Sequence, residues 1–382
     1  MPMVSQIETS IDRNIDFEPS QSCRRSAFPS GRPKMDTARG FCQQVVTLGV
    51  LGLLCVATLN FLVDPYAQYG SRFVAPVVQP SRAEKVDLLS VESSDYDSMV
   101  VGSSRVMKLE PNCLNEKFGS VFFNAGVNHG KPEDYLALKR LFSTIHGRTL
   151  KTLVIGVDEV SFLADATIDA RLISHPQLVS QVHEALSLPG RFLRWQQLLG
   201  WQQTIASIKT LEALWGNRAA NLKQSFQRDG LLIYHERERQ LADGSYDFGA
   251  AIEYNKLEYV SLMQNYGSLS SKRMELFRLL LAECQLDGTE VIVFTTPLHP
   301  ALRTHLLAQT DTYLERHKEM IGFVSAETNA YGGHFVDLTS LDIFNGNADD
   351  FVDGIHPLEA NTRKIIDRLW RQSRGGRRHA VQ

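Results

Sequence analysis

The hydrophobic pattern of the chain begins with one uncharged block near the N-terminus. Residues 41–63 read FCQQVVTLGVLGLLCVATLNFLV, and none of them is charged. The apolar centre, residues 45–63, has about 19 residues, which at about 1.5 Å of rise per residue spans roughly the 30 Å hydrocarbon core of a bilayer. The block predicts a membrane-spanning helix, preceded by a polar, disordered cytoplasmic tail over residues 1–40.

The flanks of this block indicate how it is used. No small-x-small cleavage pattern follows it, and Leu54 stands before Cys55, where lipoprotein processing would need a small residue. We therefore predict an uncleaved signal anchor. More Lys and Arg residues lie just before the block than just after it. This bias predicts a single-pass inner (cytoplasmic) membrane protein with its C-terminal domain outside the cytoplasm, which is the periplasm if the host is a Gram-negative bacterium.

Beyond a polar stretch at residues 64–94, predicted to be a linker, apolar strands alternate with amphipathic helices. The predicted strands are residues 97–101, 121–123, 152–157, 290–295 and 334–338. The predicted helices are residues 131–145, 272–285, 302–323 and 357–371. Such alternation is typical of a parallel sheet covered on both faces. We predict a doubly wound, flavodoxin-like α/β domain over residues 95–371 and a solvated basic tail over residues 372–382.

Between about residues 164 and 269 the strand-helix alternation stops. Trp195, Trp201 and Trp215 lie there among helical patterns, before a stretch with many aromatic and charged residues. The pattern predicts a mainly helical insertion, or a cap over one end of the sheet. Aromatic residues at helical spacing are usually packed in a core, and sugar stacking is the alternative for these tryptophans.

Composition then excludes several classes of protein. With 43% apolar and 22% charged residues, the chain is neither disordered nor collagen-like nor a coiled coil. The 40 Lys and Arg residues against 43 Asp and Glu residues argue against nucleic-acid binding. Outside the membrane lie Cys113 and Cys284, expected as isolated buried thiols rather than a disulfide. The histidines lack ligand spacing, so we expect no metal and no cofactor.

Polar residues follow the predicted strands at the edge where open parallel sheets bind ligands. They are residues 102–105 (GSSR), 124–128 (NAGVN) and 156–159 (GVDE), and a later polar loop holds residues 353–356 (DGIH).

Together these loops supply a serine, a histidine and a carboxylate. A serine hydroxyl is a poor nucleophile at neutral pH unless an imidazole accepts its proton, and the imidazole needs a carboxylate to hold its tautomer. Asp353 lies three residues before His356, so one turn can place both. A glycine after a strand lets backbone N–H groups approach a developing oxyanion.

These blocks resemble those of the SGNH/GDSL hydrolase family, over about residues 95–163 and 288–371. The resemblance implies that Ser104 is the nucleophile, that Gly126 belongs to the oxyanion hole, and that Asp353 and His356 form the Asp-x-x-His block. It leaves the insertion unexplained.

Two further residues are candidates for oxyanion or substrate binding. Asn128 lies in the second block, and Arg105 follows the nucleophile. For Arg105 an ion pair with Glu159 is the alternative to binding an anionic substrate.

Two residues depart from the family's pattern. Ser103 replaces the Asp of the first block, which is not the nucleophile. Asp158 replaces the Asn of the third block, which donates a hydrogen bond to the oxyanion. Because an ionised carboxylate can only accept hydrogen bonds, Asp158 would repel the oxyanion unless it is protonated or turned away.

Family and topology together give the expected function. The chain resembles membrane-anchored O-acetyltransferases and esterases that act on bacterial exopolysaccharides or cell walls. A transferase outside the cytoplasm would need a multispanning membrane partner to hand over the acyl group. The alternative is an inactive carbohydrate-binding or scaffolding subunit of a polysaccharide machine. A peptidase or lipase also stays open, because a triad does not choose its acyl substrate.

Overall fold

The structure, a computed structural model, describes residues 35–66, 68–71, 73, 81–91, 95–164, 168–186, 192, 195–215 and 225–379. The chain divides into two compact units between Gly52 and Leu53. Most of the predicted tail, residues 1–34, lies outside the described residues.

The first helix, α1 (Met35–Val63), carries the apolar block. Its stretch from Arg39 to Val63 is 25 residues long and apolar enough to cross a membrane. The prediction of one membrane-length helix is confirmed, and the direction in which it crosses stays a prediction. The helix begins at Met35, so residues 35–40 are helical rather than part of a tail.

The other elements follow in chain order. The helices are α2 (Ser81–Leu89), α3 (Pro111–Phe118), α4 (Pro132–His146), α5 (Ala170–Ile173), α6 (Pro176–Val179), α7 (Trp201–Trp215), α8 (His235–Asp243), α9 (Phe248–Gln264), α10 (Ser271–Asp287), α11 (Pro300–Gln309), α12 (Asp311–Ala330) and α13 (Glu359–His379). The strands are β1 (Ser98–Gly102), β2 (Phe122–Asn124), β3 (Thr152–Val157), β4 (Ser225–Phe226), β5 (Leu232–Ile233), β6 (Glu290–Thr295) and β7 (His334–Val336).

Five of the strands form one parallel sheet in the order β2-β1-β3-β6-β7. Successive side chains of a strand point to opposite faces. Met99 and Val101 accordingly pack with helices α4, α10 and α12, whereas Val100 packs with α3 and α13. Both faces are therefore covered by helices, and the prediction of a parallel α/β sheet is confirmed.

Local sequence explains where the covering helices begin and end. Helix α4 begins at Pro132, whose missing N–H group is no loss in a first turn, and ends at Gly147 with a φ of 61°. Helix α10 is capped by the Ser270 side chain, which accepts a hydrogen bond from the N–H of Arg273.

The segment predicted to be a linker contains helix α2, which is part of the domain core. Arg82 and Lys85 are both fully buried. Arg82 donates hydrogen bonds of 2.7 and 2.8 Å to the Asp134 carboxylate. The Lys85 ammonium donates to the carbonyl oxygens of Asn124 and Gly230. These partners make burial of the two charges possible, so the predicted linker includes a helix that packs into the domain.

Other regions also differ from the expectations. The helix expected at residues 302–323 is two helices, α11 and α12, and α13 continues through part of the expected basic tail. The insertion contains helices and an antiparallel hairpin of β4 and β5. Cys113 and Cys284 are both free thiols. Cys284 is buried as expected, which raises the pKa of its thiol to about 12, whereas Cys113 is only half-buried.

The tryptophans of the insertion correct another expectation. Trp195, Trp201 and Trp215 are 56%, 77% and 85% exposed, so they do not form a core.

Candidate active site

The candidate nucleophile lies in a tight turn directly after β1. Ser104 begins a 3₁₀ turn, Ser104–Val106, and the Ser103 side chain accepts a hydrogen bond from the N–H of Arg105. Val106 is packed where a side chain on Gly126 or Gly156 would stand: a Cβ atom there would lie 2.8 or 2.2 Å from a Val106 methyl carbon. Glycines at two strand ends therefore make room for the turn that holds Ser104.

The acid–base residues lie on a second tight loop, before α13. The backbone N–H of Val352 donates to the carbonyl oxygen of His356 at 2.9 Å, which closes the loop. Asp353 Oδ1 accepts hydrogen bonds from the N–H groups of Ile355 and His356, both at 2.9 Å. The three-residue spacing of Asp353 and His356 is thus what lets one carboxylate organise the whole turn.

The two loops bring a serine, a histidine and an aspartate into one chain of hydrogen bonds. Ser104 Oγ lies 2.9 Å from His356 Nε2, across 252 residues of sequence. His356 Nδ1 lies 2.8 Å from Asp353 Oδ2 and 3.0 Å from Oδ1. A neutral His356 that donates from Nδ1 to Asp353 leaves Nε2 free to accept the Ser104 proton, which is the arrangement that general-base activation of a serine needs.

The charge on Asp353 is stabilised in this position. Asp353 is buried, and burial alone would raise the pKa of its carboxyl group. The neighbouring His356 and the two backbone N–H donors outweigh burial and lower the pKa of Asp353 to about 2. Arg237 Nη1 lies 3.9 Å from Asp353 Oδ2 and adds a positive charge nearby. Asp353 is therefore ionised at neutral pH and can orient the imidazole.

The oxyanion side of the site differs from the family's pattern at Gly126. The N–H of Gly126 donates to Asn124 Oδ1 at 3.0 Å. The Asn124 amide in turn donates to the carbonyl oxygens of Val106 and Leu109 at 2.8 and 2.9 Å. The donor that the resemblance assigns to an oxyanion thus serves to hold the nucleophile turn against β2.

Asp158 is also committed elsewhere. It is buried, and its Oδ1 accepts hydrogen bonds from the N–H of Val160 and the hydroxyl of Ser161, both at 3.1 Å. Its Oδ2 lies 3.9 Å from Arg105 Nε. The carboxylate thus closes its own turn and contacts a cation.

Arg105 is buried and fully engaged within the protein. Its guanidinium donates to Glu159 at 2.8 Å, to Thr296 at 3.1 Å and to the hydroxyl of Tyr259 at 2.5 Å. Burial alone would lower the pKa of Arg105, but Glu159 and its other acidic neighbours raise it well above the usual value. Of the two roles considered for Arg105, the structure forms the ion pair with Glu159.

Two hydrogen-bond donors near the nucleophile are not engaged in this way. In the described part of the chain, neither the backbone N–H of Ser104 nor the side-chain amide of Asn128 has a hydrogen-bond partner. The backbone of Asn128 is held in place, because its N–H donates to Ser81 Oγ and its carbonyl oxygen accepts from Arg82. These two groups are the available candidates for oxyanion donors.

The insertion contributes residues that motif spacing did not identify. From α9, Asn255 Oδ1 accepts the N–H of Gly354 at 2.8 Å, and Tyr259 contacts Arg105. From α8, Arg237 approaches Asp353. The sequence signal was weak, because aromatic and charged residues in an irregular stretch do not reveal which distant loop they contact.

Comparison with known proteins gives no independent assignment: no family model matches the chain, and a search of curated proteins found no match. Among the described residues, no group of three or more His, Cys, Asp or Glu side chains could hold a metal ion.

Proposed function

We propose that the chain is a membrane-anchored SGNH-type enzyme that makes or breaks acyl esters through an acyl-serine intermediate. The hydrogen-bonded chain from Ser104 through His356 to Asp353 carries the proposal. The parallel sheet supports it, because its strand order β2-β1-β3-β6-β7 is flavodoxin-like and Ser104 follows the carboxyl end of β1, where such sheets bind ligands.

In the first half-reaction, Ser104 Oγ attacks the carbonyl carbon of an acyl donor while His356 Nε2 takes the hydroxyl proton. The tetrahedral intermediate collapses as the bond to the leaving oxygen breaks, and His356 returns the proton to that oxygen. Asp353 stabilises the imidazolium that exists between these two transfers. The Ser104 N–H and the Asn128 amide are the groups we assign to the oxyanion.

In the second half-reaction, His356 removes a proton from the acceptor hydroxyl, whose oxygen attacks the acyl carbon. The bond between that carbon and Ser104 Oγ then breaks, and His356 returns the proton to Ser104. Water as acceptor makes the enzyme an esterase, and a sugar hydroxyl makes it an O-acyltransferase. The membrane-length helix supports a site held near a membrane. In the proposed orientation, the α/β domain lies outside the cytoplasm, and the substrate is an envelope or exported polysaccharide. The group transferred is acetyl, and a multispanning membrane partner supplies it.

A second candidate function has its own observations. At the two positions where the family holds its oxyanion donors, this chain has the Gly126 N–H and the Asp158 carboxylate, and both are engaged elsewhere. A domain that has lost this stabilisation would bind a glycan without turning over an ester. Such a domain would be a carbohydrate-binding or scaffolding subunit of a polysaccharide machine.

The two candidates are separated by ester turnover in matched variants. We expect the full chain in detergent to release 4-nitrophenolate from 4-nitrophenyl acetate, and Ser104→Ala to lower kcat at least about 1,000-fold. Ser103→Ala is the matched control, because the Ser103 side chain contacts a backbone N–H and not His356. Equal turnover by wild type and Ser104→Ala would contradict the enzyme, and glycan binding without turnover would favour the scaffold.

A further inference from the structure

Helix α7 has an unusual distribution of apolar and polar residues. Trp201, Ile208 and Trp215 repeat every seven residues, so they form one stripe along the helix, and they are 77%, 45% and 85% exposed. The opposite side of the helix carries Gln203 and Thr210, and both are buried.

This is the reverse of what a helix on a water-soluble domain shows, since such a helix buries its apolar stripe and exposes its polar one. The exposed apolar surface continues into the preceding segment through Trp195 and Leu199. We call the exposed side chains of Trp195, Leu199, Trp201, Ile208 and Trp215 the α7 surface. Contiguous exposed apolar residues on this scale mark a contact with a membrane or another protein.

The buried polar side of α7 contacts the last turn of the membrane-length helix. Asn60 is fully buried, and its amide donates to the carbonyl oxygen of Leu198 at 2.8 Å and to Thr204 Oγ1 at 2.9 Å. Asn60 Oδ1 accepts a hydrogen bond from Ser207 Oγ at 2.8 Å. Polar side chains and small residues hold helices together in this way inside membranes.

These hydrogen bonds fix the level of α7 relative to the membrane span. Asn60 lies three residues before the end of the span at Val63, which is about 4.5 Å along the helix axis. Because Thr204 and Ser207 bond to Asn60, this part of α7 lies next to the bilayer that the span crosses. Trp201, one helical turn before Thr204, is then near the depth where tryptophan is enriched, the boundary of hydrocarbon and headgroups.

We propose that the α7 surface contacts lipid, at the bilayer interface on the Val63 side of the span. The described part of α7 carries only two charged residues, Lys209 and Glu212, which is compatible with an interfacial position. Ring contacts from Phe61 through Tyr69 to Trp195, with centroids 5.6 and 5.7 Å apart, join the end of the span to the α7 surface. The α/β domain therefore has a second membrane contact besides its anchor, whatever reaction it performs.

Tryptophan fluorescence in lipid nanodiscs tests the contact directly. Three of the four tryptophans belong to the α7 surface, and the fourth, Trp370, lies on α13. The full chain is placed in phosphatidylcholine nanodiscs with or without lipid brominated near the top of its acyl chains. We expect Trp370→Phe, which keeps the α7 tryptophans, to lose most of its emission to brominated lipid.

The matched variant is Trp195→Phe/Trp201→Phe/Trp215→Phe, which keeps Trp370 and should lose little emission. Wild type, whose emission comes mainly from the α7 surface, gives the same test without any substitution. Quenching of Trp370→Phe by aqueous acrylamide but not by brominated lipid would overturn the proposal, because the surface would then face water. Protection from both quenchers would overturn it too, because a protein would then cover the surface.

Discussion

The two sides of the candidate active site differ in what their hydrogen bonds do. On the nucleophile side, the bonds from Ser104 to His356 and from His356 to Asp353 join the groups that a serine esterase uses. On the oxyanion side, Gly126 and Asp158 make bonds that hold the loops in place. The hydrogen bonds that the proposed mechanism needs are therefore present on the nucleophile side, whereas the corresponding groups on the oxyanion side hold the loops in place.

The two sides also differ in the contacts that determine their structure. The triad depends on two short turns. Val106 packs the first against glycines of neighbouring strands, and Asp353 organises the second within its own loop. The oxyanion side depends on a buried cation, Arg105, with two carboxylates next to it. The positive charge of Arg105 favours a carboxylate at position 158. In the proposed reaction, the oxyanion is therefore stabilised by other donors.

The largest expected effect tests the nucleophile side. Asp353→Asn should lower kcat on 4-nitrophenyl acetate about 10,000-fold, because an amide favours the wrong tautomer of His356. The double variant Asp353→Asn/His356→Gln should be no slower than the slower single variant, because the residues act as one unit. Asp349→Asn, a nearby exposed aspartate, is the control and should keep its rate. Additive losses would show that Asp353 and His356 act separately.

The next largest effect concerns the architecture of the oxyanion side. Arg105→Met should lower the free energy of unfolding by about 3–5 kcal/mol, because it leaves Glu159 buried without its partner. Adding Glu159→Gln should recover part of that loss. Urea unfolding of the full chain in detergent, followed by circular dichroism, measures both. An Arg105→Met protein as stable as wild type would mean that the ion pair is not what holds this side together.

The donors of the oxyanion side are tested at two positions. Asn128→Asp, which keeps the shape but removes the donor, should lower kcat about 100-fold. Asp158→Asn should give no gain in kcat, because residue 158 is held in its own turn by Val160 and Ser161. Steady-state kinetics on 4-nitrophenyl acetate measure both. A large increase in kcat for Asp158→Asn would contradict this expectation and show that an amide at position 158 donates to the oxyanion.

The smallest expected effect is the pH dependence of stability. The pKa of Asp353 is about 2 in the folded protein, below its ordinary value of 3.8. The contribution of the lowered pKa to the free energy of unfolding, about 2 kcal/mol, is therefore fully present above about pH 4 and is lost as the pH falls through about 2. The difference in unfolding free energy between wild type and Asp353→Asn should shrink over that window. A difference that stayed constant down to about pH 2 would contradict the lowered pKa.

Much of the sheet was predictable from local sequence. The apolar runs at Thr152–Val157 and Glu290–Thr295 match the observed strands, because both faces of these strands are buried and no polar residue interrupts them. The loops after β1 and before α13 were identifiable for a different reason. Their short spacings, such as Asp353 to His356, correspond to single turns.

The remaining features depend on contacts between distant parts of the chain. Arg82 and Lys85 look like surface residues until Asp134 and backbone carbonyl groups are brought to them by folding. Asn255 and Tyr259 have no motif, and each contacts its loop across about a hundred residues or more. Aromatic spacing in α7 indicated a helix correctly but could not show which side would be covered.

Acylation of Ser104 is the step on which the proposed function depends, and covalent labelling tests it most directly. The full chain in detergent is treated with a fluorophosphonate and analysed by intact mass and peptide mapping. We expect one adduct, on Ser104, that also forms in Ser103→Ala and does not form in Ser104→Ala or His356→Ala. No adduct on folded wild-type protein, or equal labelling of Ser104→Ala, would contradict it.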